Sequence, residues 1–257
     1  FSNQGAYASH GHAIAAKGLN CFPHMYPCEN VDGDAWTVYT NRPTAGAMRG
    51  YGIPQAMFAV EAHTDDICRR MGFHPLEFRM KYLMPQGYRD DFSKNENYYD
   101  SFRQCLDKGK AYIDYDKKYA EYQNQTGNIR RGIGCAAFWY NTAVWPISLE
   151  SSSCRMVLNQ DGSIQLQVAE TEIGQGADTV FSQMAAETLG ISYRDVHVVS
   201  CQDTDVTPFG LGAYASRQTY VVGFSVTQTG NILREKILKY ANELTRVAVV
   251  NLDIIEG

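Results

Sequence analysis

The pattern of apolar and polar positions changes period along the chain, and those changes outline its parts. Residues 36–40 alternate and are rich in Thr, Val and Tyr, which predicts a strand. A Gly-rich turn follows at 49–55. Beyond it Met57, Val60, Thr64, Ile67 and Met71 recur at helical spacing, and Pro54 suits a first helical turn, so a long helix is expected. A second helix is expected over 76–83, stopped by Pro85 and Gly87. A third, with alternating charge, is expected over 102–122, and Gly127-Asn128 reads as a boundary. Past that point 133–140, 154–159 and 164–169 read as strands, with Asn159-Gln160-Asp161-Gly162 as a hairpin turn. A helix over 179–189 is expected with Asp178 as N-cap and Val180, Met184 and Leu189 on one face. A strand at 196–200, a Gly-rich loop at 208–213 and a helical tail over 216–250 complete the series. This order predicts an α+β fold of layered mixed sheets with helices, in two subdomains, 1–127 and 128–257. No GxGxxG follows a strand and there is no Walker loop.

Composition sharpens this. With 44% hydrophobic and 20% charged residues, the chain is neither disordered nor a coiled coil. The net charge of -5 and a pI near 5.7, with charges scattered, argue against a nucleic-acid-binding face. No apolar run is long enough to predict a membrane span. Seven irregularly spaced cysteines without a CxxC pair predict free thiols in a reducing cytoplasm, with Cys68 and Cys105 as buried helix residues. His10 and His12 lie two apart without a third ligand and read as solvated. The start at Phe1 rather than Met suggests a piece of something longer.

Three segments combine glycines, polar side chains and a following helix. In Arg49-Gly50-Tyr51-Gly52-Ile53-Pro54-Gln55, glycines allow close backbone approach and Arg49 could grip an oxyanion, although the residues alone favour a plain strand-to-helix turn. In Glu172-Ile173-Gly174-Gln175-Gly176, backbone N–H groups at a helix start suit an anionic or polar ligand, and Gln175 offers a donor and an acceptor. Glu170 and Glu172 could be read as an acid/base pair, but nothing places a nucleophile between them, and they read as structural. The third segment runs from Asp203-Thr204 through Pro208 to Ala215-Ser216-Arg217-Gln218 and also feeds a helix. Their shared architecture suggests one extended ligand held by several helix-start loops.

At these segments, with Ala47-Met48 leading the first, the sequence resembles the molybdenum-binding subunit of the xanthine dehydrogenase and aldehyde oxidase family of molybdenum hydroxylases. The loop 212–219 looks most like that of bacterial purine and nicotinate hydroxylases. The resemblance implies that the chain holds the C-terminal part of one molybdopterin-binding domain (1–127) and the N-terminal part of a second (128–257). It implies a molybdenum-pterin cofactor, in its plain or cytosine dinucleotide form, with Arg49 and Ala215 beside the metal. Ile173, Gly174, Gln175 and Ser216 would bind the cofactor, and Tyr51 would pack on a flat substrate ring. The implied activity is hydroxylation of an N-heterocycle or aldehyde with oxygen from water. Electrons would leave through Fe-S clusters to FAD on partner domains or subunits, with no nucleic acid and no membrane involved. Val144 stands where xanthine-oxidising relatives carry a second ring-sandwiching Phe, a role that Trp139, Tyr140 or Trp145 could fill. The family's catalytic glutamate lies in a later motif that this chain does not reach, so no catalytic residue is expected here. The alternatives are a non-catalytic family member that assembles or binds a small ligand, and a stand-alone hydrolase using Glu170 and Glu172.

Overall fold

The computed structural model describes residues 1–91, 94–143, 150–199 and 202–255. Its contacts divide the chain into two units, Phe1–Asn141 and Thr142–Gly257.

In the first unit β1 (Ser2–Gly5) pairs in parallel with β2 (Thr37–Tyr39), and α1 (Gly11–Met25) connects them. Helices α2 (Ile53–Met71), α3 (Pro75–Tyr82), α4 (Ser101–Tyr112) and α5 (Tyr115–Tyr122) follow. The core is Cys21 and Met25 of α1, Ile53 and Met57 of α2, with Leu83 and Ala137. Helix α2 starts where Pro54 fixes φ in the first turn and ends at left-handed Gly72, where the N–H of Phe73 reaches the carbonyl of Cys68 at 2.9 Å. Its buried stripe differs from the expected one. Met57 and Thr64 are inside, but Ile67 and Met71 are exposed, and the stripe passes instead through Glu61 and Cys68. A charged residue on the core face is hidden from any reading of apolar period.

Glu61 is tolerated there because every oxygen is used. The Tyr26 hydroxyl donates to its Oε1 at 2.6 Å, and Arg79 Nε and the Ala137 N–H donate to its Oε2 at 2.7 and 2.8 Å. Arg79 is fully buried and also donates to the carbonyls of Pro75 and Glu61 and pairs with Asp65. This one cluster joins α1, α2, α3 and the segment around Ala137.

Three expectations need correction in this unit. Residues 133–140 form no strand: they have no ladder partner among the described residues, and are held instead by the Ala137–Glu61 bond and by Trp139 against His24, ring centroids 4.0 Å apart. The single helix over 102–122 is two, because left-handed Asp114 (φ 51°) breaks it and turns Tyr115 into the core. Cys105 is exposed, unlike buried Cys68, because no residue of α4 is fully buried. Helix α1 and strand β1 are further elements that the pattern did not reveal. Pro23 near the end of α1 and the absence of a side-chain cap at His10 mask the helix.

In the second unit β3 (Cys154–Leu158) and β4 (Ile164–Val168) form the expected antiparallel hairpin, and β5 (Val196–Val198) adds in parallel to β4. Helices α6 (Ala177–Leu189) and α7 (Gly223–Thr245) pack against each other, and the core joins Ile164, Leu166 and Val168 to Phe181, Leu189 and Val226. The inward face of α6 runs Ala177, Phe181, Ala185 and Leu189, one position on from the expected Val180 and Met184. Its N-cap is left-handed Gly176, and Asp178 sits inside the first turn. The helical tail is also less regular than expected: a π-helical turn at Gln218–Val222 precedes α7, and left-handed Arg246 ends it. Ser200, the expected end of β5, and Cys201 lie outside the described residues. Both units fit an α+β fold of small mixed sheets covered by helices. Among the described residues no helix is long and apolar enough to cross a membrane.

Because a buried ion pair broken on one side leaves an uncompensated charge, Arg79→Met should lower stability by about 3–5 kcal/mol. Denaturant unfolding checks this. The double change Arg79→Met with Glu61→Leu should recover most of that loss.

Candidate functional site

The predicted site residues fall in both units. In the first, the chain between β2 and α2 makes a tight turn through Gly50 (φ 98°), Tyr51 (φ 55°) and Gly52 (φ 89°). A Cβ on Gly52 would lie 2.8 Å from the carbonyl oxygen of Ile14, so only glycine lets α1 and α2 approach here. Tyr51, a left-handed non-glycine residue, is held by burial at 6% exposure, with the Lys17 ammonium 5.6 Å from its ring centroid. Lys17 is itself buried and lies 4.7 Å from the ring centroid of Tyr140. Arg49, by contrast, is exposed and forms no ion pair or hydrogen bond among the described residues. The unit also has a groove of about 1020 Å³ beside α1, bordered by Gly52, Gln55, Phe22 and Trp36, but neither Arg49 nor Tyr51 lines it.

In the second unit the structure brings two predicted loops together. Gln175 accepts from the Ile173 N–H at 2.7 Å through Oε1 and donates through Nε2 to the Thr171 carbonyl at 3.0 Å and to the Gln218 side chain. Gln218 in turn donates to the same Thr171 carbonyl at 3.1 Å. The loop 172–176 and the segment after Ser216 are thus tied through one pair of amides. The N–H groups at the start of α6 are also engaged: Glu172 accepts from Gly174 at 2.6 Å, Gly176 at 3.1 Å and Asp178 at 3.2 Å. A carboxylate of the chain itself therefore occupies the positive end of the helix. Those amides hold the Glu172 carboxyl below its ordinary value of 4.5.

The third loop carries the most backbone strain. Ala215 (φ 52°) and Ser216 (φ 56°) are adjacent non-glycine residues in the left-handed region, a conformation costing about 1–3 kcal/mol per residue. Ala215 accepts from the Ala143 N–H at 2.7 Å. The N–H groups of Ala215 and Ser216, and the exposed Ser216 hydroxyl, donate to nothing among the described residues. Successive free N–H groups in a turn form a concavity that receives anions.

Arg217, next in the chain, is fully buried. Its Nε donates to Glu150 at 2.7 Å, and its Nη1 donates to Glu170 at 2.8 Å and to the Gly212 carbonyl at 3.3 Å. Its Nη2 donates to the Ser151 carbonyl. Burial works against the charge, but the hydrogen bonds to Glu150 and Glu170 outweigh it and hold the guanidinium above its ordinary value. Burial likewise pushes the Glu170 carboxyl up, against the pull of Arg217. Glu170 is thus engaged with Arg217, and Glu172 with the amides at the start of α6.

Arg217, Gln218 and Lys17 carry no role in the sequence reading. A signal existed for the first: Arg217 is the only charged residue between Asp205 and Arg234, and a lone charge in an apolar stretch has to be paired. Trp139 and Tyr140 are half-buried and packed on α1 residues. Val144 and Trp145 lie outside the described residues.

In the first unit the exposed guanidinium of Arg49 beside a glycine turn suits an anionic group, and in the second the unclaimed N–H pair of Ala215 and Ser216 does so independently. Residues 1–83 and 108–257 match two families, each described as a molybdopterin cofactor-binding domain. The chain belongs to the molybdopterin cofactor-binding domain family. Over 256 residues it is 46% identical to the xanthine dehydrogenase molybdenum-binding subunit of Escherichia coli, covering 100% of this chain and 34% of that protein. The chain thus spans about a third of the length of the curated relatives it matches. Its fold is similar to that of quinoline 2-oxidoreductase from Pseudomonas putida, with TM-score 0.83 and 23% identity, over 99% of this chain and 34% of that one. The aldehyde oxidoreductase of Desulfovibrio desulfuricans matches with TM-score 0.79 and 28% identity, over 92% of this chain and 26% of that one. The donor set of the chain fits the group its family binds, since molybdopterin brings a phosphate and metal-bound oxygens.

The depressed carboxyl of Glu172 gives a pH test. A depressed group stabilises the folded loop above its unfolded value and loses that contribution as pH falls through its folded value. Amide protection at Gly174, Gly176 and Asp178 should hold from neutral pH down to the ordinary carboxylate range and decline below it. In Glu172→Gln it should be weaker throughout and nearly independent of pH, as hydrogen exchange will read.

Proposed function

We propose that the chain is the central part of the molybdenum-binding subunit of a hydroxylase of the xanthine dehydrogenase type. In this reading residues 1–127 are the end of a first molybdopterin-binding domain and 128–257 the start of a second. The observation that carries it is the pair Ala215 and Ser216: strained backbone with two unclaimed N–H groups, tied through Gln218 to the loop of Ile173, Gly174 and Gln175. Strain of this kind persists where a site needs the backbone in one place.

When bound, the cofactor supplies the metal centre at which an electron-poor carbon takes up oxygen from water. The chain's own residues bind and orient. Ala215 offers its N–H to the metal's ligands, and Ser216 adds its N–H and hydroxyl to the cofactor. Ile173, Gly174 and Gln175 line the pterin end, with the Gln175 amide braced by Thr171 and Gln218. Arg49 brings a positive charge to the metal-ligand oxygens, and its exposure leaves that charge available. Tyr51, whose ring lies buried against Lys17, would pack on a flat substrate ring only once uncovered. That substrate is an N-heterocycle or an aldehyde, in line with the xanthine, quinoline and aldehyde oxidoreductases the chain is similar to. Fe-S and FAD partners would carry the electrons away, in a reducing cytoplasm that suits the six described thiols. The cytosine dinucleotide form of the cofactor is part of the same proposal.

Elemental analysis and pterin fluorescence of the native complex test this reading. Stoichiometric molybdenum and pterin are expected. A complex with neither would leave the non-catalytic assembly or ligand-binding role instead. Within the full-length subunit, Arg49→Ala should reduce turnover at least about tenfold while moving stability by less than about 0.5 kcal/mol, because an exposed, unpaired side chain contributes little to folding. Equal relative losses in melting temperature and turnover would contradict the assignment.

A further inference from the structure

We propose that Arg217 is the positioning residue of the second unit's site: its buried guanidinium holds Ala215 and Ser216 in their left-handed conformations and keeps their N–H groups free for a ligand. The inference rests on the reading given under Proposed function and adds to it the part that shapes the loop.

Two adjacent left-handed residues without a glycine hold only if the surroundings over-determine them. Local chemistry does not do this, since among the described residues the sole hydrogen bond made by either residue is the one from the Ala143 N–H to the Ala215 carbonyl. The remaining restraint comes through Arg217. Its Nη1 reaches back five residues to the Gly212 carbonyl and closes a ring across the base of the loop. Its backbone N–H donates to the Tyr214 carbonyl at 3.2 Å, and its guanidinium lies 5.9 Å from the Tyr214 ring centroid. The same guanidinium is fixed from outside by Glu150, by the Ser151 carbonyl and by Glu170, which follows the end of β4. Four acceptors in different directions require a planar fork, and a lysine ammonium, a compact point charge, cannot span them. Glu170 also lies one residue from Thr171, where the Gln175 and Gln218 amides meet, so the two loops share one frame. The charge network is thus placed to set the ligand-facing backbone and not only to stabilise the fold.

The test compares Arg217→Lys with wild type in the full-length subunit within its complex. Hydrogen exchange is read along the unit, and molybdenum and pterin are measured per chain. The proposal expects exchange over 212–218 to quicken by about tenfold or more, that of β3, β4 and α6 to stay unchanged, and cofactor content to fall. Unchanged exchange over 212–218 would overturn it. So would an equal acceleration throughout β3, β4 and α6, which is the signature of a purely structural ion pair. If Arg217→Lys does not fold, Glu150→Gln decides, since it removes one charge but keeps an acceptor: a smaller, equally local acceleration supports the proposal and none overturns it. Wild-type complex without molybdenum or pterin would sink the functional reading, while the exchange arms would still decide whether Arg217 shapes the loop.

Discussion

A guanidinium taken fully out of water has to be met by carboxylates and carbonyls on every side, and each unit of this chain is arranged around one such group. Arg79 gathers Glu61, Asp65 and the Pro75 carbonyl; Arg217 gathers Glu150, Glu170 and the carbonyls of Ser151 and Gly212. Such pairs add little net stability over a well-packed apolar substitute, because desolvating the charges costs about what their attraction returns. What they add is direction. An apolar core tolerates small shifts and rotations, whereas a fork with four acceptors accepts one arrangement.

That difference explains where the arginines stand. Arg79 fixes Glu61, whose carboxylate takes up the Ala137 N–H of a segment that joins no strand among the described residues. Arg217 stands next to backbone that pays for its shape in strain. In the same unit Glu172 neutralises the positive end of α6 from within, so the helix start is already satisfied and the unclaimed donors lie on the Ala215–Ser216 side.

The sequence made the β3–β4 hairpin, α2, α3 and α6 legible because local period, proline and glycine signals agree there. It failed where long-range pairing decides. The stretch 133–140 has strand-like residues but no ladder partner among the described residues, and helix α1 has the neighbours but lacks a side-chain cap and carries Pro23 in its last turn. The motif segments were legible as loops that precede helices. What holds them was not, because Arg217 meets Glu150 and Glu170 only in the folded unit, and Glu61 reads as a surface residue until Arg79 and Tyr26 are placed beside it. Tyr51 was readable as an aromatic in the first loop, but its burial against Lys17 depends on α1, the helix that the pattern did not show.

Arg217 and Glu150 lie 67 positions apart in the chain, and Arg217 and Glu170 lie 47 apart. Contacts that distant require long loops to close before they give anything back, so they form after the hairpin and the helices. The ligand-facing backbone is therefore among the last parts of its unit to take shape. On the proposed reading, the cofactor would meet a finished seat only in a unit whose distant pairs have already closed.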